Sequence, residues 1–181
     1  MNRLLHGGAV ALATILLVSA CAGGPTQRST GVAVDDAVVL SRVKAALVSN
    51  DATKARQIDV EVYKGEVQLN GFVDTEAAKA AATTTARNVE GATSVRNNLQ
   101  IKAAERSAGQ MVDDGVITAK VKSSLIGDPR TKAYEIEVAV NSGVVQLGGF
   151  VSNAAGKMAA TEVARAVDGV SSVENGLQVK N

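Results

Sequence analysis

The chain has little with which to do chemistry. Its 181 residues include one cysteine, one histidine and no tryptophan, with two phenylalanines and two tyrosines. Metal binding and nucleophilic catalysis draw heavily on histidine and cysteine, so both lose their usual parts. A surplus of one charge is missing too: 19 basic residues face 18 acidic ones. Attraction to nucleic acid or anionic lipid must then come from a local patch, not from net charge. Long apolar runs are also lacking. The one extended run, Gly7 to Ala20, falls short of the roughly 20 residues a membrane-spanning helix needs.

What is present begins with that run. A short positive start, Met1-Asn2-Arg3, precedes it, which reads as a secretory signal over residues 1–20. Val18-Ser19-Ala20-Cys21 follows and resembles the lipobox of bacterial lipoproteins. The resemblance implies cleavage before Cys21, a diacylglycerol on its thiol and an acylated (palmitate-type) amino end. Several acyl chains anchor stably where one does not. Ala22 after the cysteine, where an aspartate would favour the inner membrane, implies the periplasmic face of the outer membrane. Maturation would remove His6 and consume Cys21, leaving neither imidazole nor free thiol, and 18 basic residues against 18 acidic once Arg3 is lost. Residues 21–34, rich in Gly, Ser, Thr and Ala, cannot bury enough apolar surface to order themselves and read as a flexible tether.

The rest of the chain is written twice. Gly65-Glu66-Val67-Gln68-Leu69-Asn70-Gly71-Phe72-Val73 returns 78 positions later as Gly143-Val144-Val145-Gln146-Leu147-Gly148-Gly149-Phe150-Val151. The match runs without a gap from Asp35–Lys102 onto Asp113–Lys180, with about half the positions identical. A long period present only twice indicates two small domains, not a solenoid. The expected boundaries are 35–102 and 113–181, with a linker over 103–112. Domains this small bury only about 60% of their unfolded surface, so mutual support would help them.

Each unit opens on a double aspartate (Asp35-Asp36, Asp113-Asp114), placed to cap a helix. Val39, Val43 and Leu47, like Ile117, Val121 and Leu125, recur at helical spacing. Ile58-Asp59-Val60-Glu61-Val62 alternates as a half-buried strand, with Asp59/Glu61 in the first unit and Glu135/Glu137 in the second expected on a solvent face where charge discourages edge pairing. A turn at Gly65 or Gly143 leads into the nonapeptide as the second strand of a hairpin. Its Val67, Leu69, Gly71 and Val73 share one face; Gln68, Asn70 and Phe72 share the other. An alanine-rich helix runs from Asp74-Thr75-Glu76 or Ser152-Asn153 toward Gly91 or Gly169, its inner face expected at Ala81, Ala82, Thr85 and Val89 or Ala159, Ala160, Val163 and Val167. A last strand follows from Val95 or Val173. The order is α-β-β-α-β, an α+β sandwich of two helices on a three-stranded mixed sheet, with a right-handed crossover making the last two strands parallel.

This order, the glycine-hydrophobic hairpin and the closing Val167-Asp168-Gly169-Val170-Ser171-Ser172-Val173-Glu174-Asn175-Gly176-Leu177 resemble a BON domain. The first unit closes similarly, Val89-Glu90-Gly91-Ala92-Thr93-Ser94-Val95-Arg96-Asn97-Asn98-Leu99, departing at Ala92. A lipobox with two such units is similar to dual-BON outer-membrane lipoproteins. The resemblance implies a non-enzymatic envelope protein that binds anionic phospholipid membrane and supports outer-membrane integrity, with envelope or division-machinery proteins as further partners. From the residue content and the charge balance, no cofactor, metal, nucleic acid or small-molecule substrate is expected. Periplasmic osmotic-stress proteins share the two domains, so a protein-interaction or stress-protective module, with Phe72, Phe150 and the sheet edges as contacts, is the alternative.

Within the units, Lys120, Lys122, Arg130 and Lys132 flank Leu125-Ile126. Cations beside an exposed apolar residue suit anionic headgroups over an acyl boundary, so Lys120, Lys122, Ile126, Arg130 and Lys132 are the expected lipid contacts. Arg42, Lys44, Lys54 and Arg56 occupy comparable places in the first unit. Phe72 and Phe150 either pack the units together or cover a helix end. Asn97 and Asn175, on the apolar face of the last strand, are expected to hydrogen-bond loop backbone. Gly148-Gly149 lacks the helix-opening Lys-Ser/Thr of a phosphate loop.

Overall fold

The computed structural model describes residues 30–53, 57–102, 108–131 and 135–180. The signal segment, Cys21, residues 21–29 of the tether, residues 103–107 of the linker, and Lys54, Arg56 and Lys132 lie outside them. The first unit consists of α1 (Thr30–Ser49), β1 (Ile58–Tyr63), β2 (Glu66–Val73), α2 (Glu76–Arg87), β3 (Ser94–Asn97) and β4 (Gln100–Ile101). The second repeats it as α3 (Ala108–Gly127), β5 (Ile136–Asn141), β6 (Val144–Val151), α4 (Ala154–Arg165), β7 (Ser172–Asn175) and β8 (Gln178–Val179).

The hairpin pairs β1 with β2 antiparallel, and β3 and β4 both run parallel to β2. The mixed sheet is the expected one, but its last strand breaks at Asn98-Leu99. Asn97 causes the break by bonding elsewhere: its amide donates to Lys79 O and Thr83 Oγ1 of α2 (2.9 and 2.6 Å) while its oxygen accepts from Leu99 N. The polar side chain on the apolar face is thus satisfied by a helix as well as by local backbone. Asn175 does the same with Lys157 and Thr161.

Val39, Val43 and Leu47 of α1 sink into one core and Ile117, Val121 and Leu125 of α3 into the other, each closed by the inward row of the hairpin. The inner face of α2 is Ala78, Ala82 and Ala86, and that of α4 Gly156, Ala159, Ala160 and Ala164. Ala82, Ala159 and Ala160 stand where expected; Ala81, Thr85, Val89, Val163 and Val167 are only half-buried. The helices end at Arg87 and Arg165, before the turns that carry Gly91 and Gly169. Thr75 and Asn153 cap their starts.

Two expectations change here. Helix α1 starts at Thr30 and α3 at Ala108, so the last residues of the expected tether and linker are helical. Val32 and Gln110 give those turns a place to rest, lining a crevice against each hairpin turn. The paired aspartates therefore sit inside the helices, beyond their first turns. Asp36 instead accepts the backbone N–H groups of Lys64 and Gly65 (2.9 and 2.8 Å), and Asp114 those of Ser142 and Gly143. Gly71 and Gly149 sit at φ +112°. A Cβ there would lie 2.1 or 2.3 Å from the carbonyl oxygen of Gln57 or Glu135, so both the conformation and the close approach of the chain entering the neighbouring strand require glycine.

The outer rows of β2 and β6, polar in sequence, meet each other. Gln68, Asn70, Phe72, Gln146 and Phe150 are all buried, and the strand pairs β2–β6, β1–β6 and β2–β5 are in contact. The two sheets stack face to face, each with its helices on the outside. Gln68 donates to Gly176 O (2.6 Å) and accepts from Gly149 N. Gln146 answers from the other side, donating to Asn98 O and accepting from Gly71 N. Because these positions correspond under the repeat, the junction has an internal pseudo-two-fold axis. Phe72 and Phe150 thus belong to the packing of the units; Phe150 lies 5.4 Å from the ring of Tyr63. They are not available to another polypeptide, which corrects that part of the protein-interaction alternative.

Candidate lipid-contact site

The expected cationic cluster does not form as one patch. Lys122 and Ile126, one turn apart near the end of α3, share a flank of the helix and are both exposed, Ile126 at 75%. Lys122 reaches Glu137 on β5 at 3.7 Å, with its side chain still 47% exposed. Lys120 lies on the opposite flank, facing the crevice beside Ser142 and Gly143. Leu125 is core. Arg130 is tied down: its guanidinium grips Asp128 (2.7 to 3.2 Å) and reaches Glu162 at 3.1 Å. That grip holds the Asp128 carboxyl below its usual range and raises the guanidinium further above it. An arginine neutralised by two carboxylates has little charge to offer a phosphate. Of the five residues, Lys122 and Ile126 stand together, Lys120 and Arg130 stand apart, and Lys132 is outside the described residues.

The loop that presents Ile126 is held from below. Thr131 Oγ1 donates to Leu125 O and Asp128 O (2.5 and 2.9 Å), closing the end of α3. Thr53 closes α1 in the same way onto Leu47 and Asn50. Sequence reasoning passed over both threonines; their only signal was identity at matched positions of the repeat. Val48, 74% exposed, and the exposed Lys44 form the equivalent pair in the first unit. Met111 and Val116 add further exposed apolar surface to α3.

Asp59 and Glu137 are half-buried on the end strands β1 and β5 and feel each other's charge across the junction. Burial raises the Asp59 carboxyl above the usual carboxylate range, and the charge of Glu137 adds to the rise, while Lys122 and Lys44 oppose it. Glu135 is likewise drawn in, paired with Lys180 at 2.5 Å.

Each unit also carries a crevice between its first helix, its hairpin turn and the turn after its second helix, about 690 Å³ in the first and 490 Å³ in the second, lined at matching positions. In the first, Arg42 bridges to Glu90 at 3.3 Å. Among the described residues, no three His, Cys, Asp or Glu side chains are grouped to hold a metal, and no helix is long and apolar enough to cross a membrane.

Comparison with known proteins agrees with the architecture. The chain is 36% identical to the osmotically-inducible protein Y of Escherichia coli over 86% of this chain and 78% of that protein. It is 39% identical to a 21 kDa hemolysin of Actinobacillus pleuropneumoniae, over 81% of this chain and 75% of that one. It is 33% identical to the outer membrane lipoprotein DolP of Haemophilus influenzae, again over 81% and 75%. The family described as BON domain matches residues 35–103 and 113–181; with two helices on a mixed sheet in each unit, the chain belongs to the BON family.

Proposed function

We propose that this protein is an envelope lipoprotein, exported by residues 1–20, anchored through Cys21 and carrying BON domains over 35–102 and 113–181, the second of which touches anionic phospholipid through the end of α3. Its work is binding, in support of outer-membrane integrity, and not catalysis. The observation that carries the reading is the pairing of Ile126 with Lys122 on one exposed flank. An aliphatic side chain this open to water costs free energy until it is covered, and an ammonium one turn away suits a headgroup above an acyl boundary. Burial of both outer strand rows in the junction supports it further, since the helix layers are then the broad surfaces left for a partner. Relatives named for the outer membrane and for osmotic induction support an envelope setting under stress.

Flotation of the Cys21→Ser chain with phosphatidylcholine vesicles, with and without phosphatidylglycerol, tests this. Phosphatidylglycerol should increase the floated fraction, and Ile126→Glu should abolish the increase, while Arg130→Gln changes it little. Equal flotation with both vesicle types, or an unaltered Ile126→Glu variant, overturns the lipid assignment.

A further inference from the structure

The junction between the two BON domains is symmetric in its hydrogen bonds and asymmetric in its bulk. On the axis, the first domain carries Asn70 where the second carries Gly148, and Asn98 where the second carries Gly176. The members of each pair meet. A Cβ on Gly148 would lie 2.3 Å from both Cγ and Nδ2 of Asn70, and one on Gly176 2.7 Å from Nδ2 of Asn98. Neither glycine has a positive φ, so backbone conformation does not demand glycine; the space does. Asn70 and Asn98 join each other at 3.0 Å, Asn70 bonds to Gln68 at 3.2 Å, and Asn98 reaches Gly176 O at 3.5 Å. Two asparagines of one domain thus fill two hollows of the other, inside a frame of four glutamine contacts that both domains supply alike.

We propose that Asn70/Gly148 and Asn98/Gly176 set the specificity of domain pairing, making the sheet face of the second domain a receptor for the first domain and closing it to a second copy of either domain. Two first-type faces would place asparagine on asparagine where the backbones leave no room. Two second-type faces would leave unfilled space beside the buried glutamines. The attractive frame is shared, and discrimination comes from the clash built against like pairing.

The test uses the full chain with a protease site placed between Lys102 and Ala108, cut after folding, with association of the two halves followed by sedimentation. The wild-type halves should remain a one-to-one pair at micromolar concentration. Gly148→Asn should raise their dissociation constant at least about tenfold, the scale of an overpacked interior site. The fourfold exchange Asn70→Gly, Asn98→Gly, Gly148→Asn, Gly176→Asn moves the bulk to the other side of the axis and should restore pairing to within about threefold of wild type. Because the exchange contains the Gly148→Asn change, its recovery separates a lost fit from a lost fold. Wild-type halves that part at this concentration, a Gly148→Asn pair as tight as wild type, or an exchange variant no better than the single one would each overturn the proposal.

Discussion

Asp36 and Gly65 are joined by a carboxylate-to-amide hydrogen bond of 2.8 Å, from the interior of a helix to the tip of a hairpin 29 residues away. The other oxygen of the same carboxylate takes Lys64 N at 2.9 Å. Lys64 and Gly65 both have positive φ (51° and 77°), as do Ser142 and Gly143 in the second domain, so each aspartate holds a turn whose first residue is strained. Asp36 is 3% exposed and Asp114 5%. Asp36→Ala should cost about 1.5 to 3 kcal/mol, the range for charge-assisted hydrogen bonds, and Asp114→Ala a similar amount, measured by urea unfolding. A loss below about 0.5 kcal/mol in both would show that the turn holds its shape unaided.

Two glycines should respond in opposite directions. Gly71→Ala forces a Cβ to within 2.1 Å of the Gln57 oxygen at φ +112° and should destabilise by more than about 3 kcal/mol, at the severe end for single substitutions. Gly115→Ala lies in α3 with nothing within 4 Å of the new atom and should stabilise by about 0.5 to 1 kcal/mol. Thermal unfolding of the two variants beside wild type reads both signs at once.

The junction should loosen as pH rises through the titration of Asp59. Its carboxyl is raised, by burial first and by Glu137 second. The folded state therefore holds this proton more tightly than the unfolded state, whose carboxyl titrates near 3.8. Below that value the group imposes no penalty; the penalty grows as pH climbs from there through the folded-state value. Asp59→Asn should therefore stabilise the chain at pH 7 and lose its advantage in acid. Unfolding of both proteins at pH 3.5 and pH 7 checks the sign, and an Asn variant weaker than wild type at pH 7 would refute it.

Much of each domain was legible from residues alone. Val39, Val43 and Leu47 at helical spacing, and Ile58, Val60 and Val62 alternating, have one buried side each, and period shows one-sided burial well. The docking was illegible for the same reason. Gln68, Asn70 and Gln146 alternate with apolar residues as a watered face would, and the two glutamines are buried against backbone groups of the other domain, Gly176 and Gly149 for Gln68 and Asn98 and Gly71 for Gln146, which no local pattern shows. Asp36 misled similarly, since an aspartate near a helix start suggests a cap until the extra turns before it are seen. At the candidate site, sequence supplied Lys122 with Ile126 but could not show that Asp128 and Glu162 occupy Arg130.

Stacking the sheets back to back turns the molecule into a two-sided object, with α1 and α2 looking one way and α3 and α4 the other. A flat bilayer can lie along one of these sides, not both. Whichever helix pair rests on lipid, its twin is displayed away from it, some three layer spacings of about 10 Å above the surface. Duplication has thus given the chain a ground floor and a roof of the same design: were α3 to settle on lipid as proposed, an equivalent surface would stay open to the aqueous space beyond.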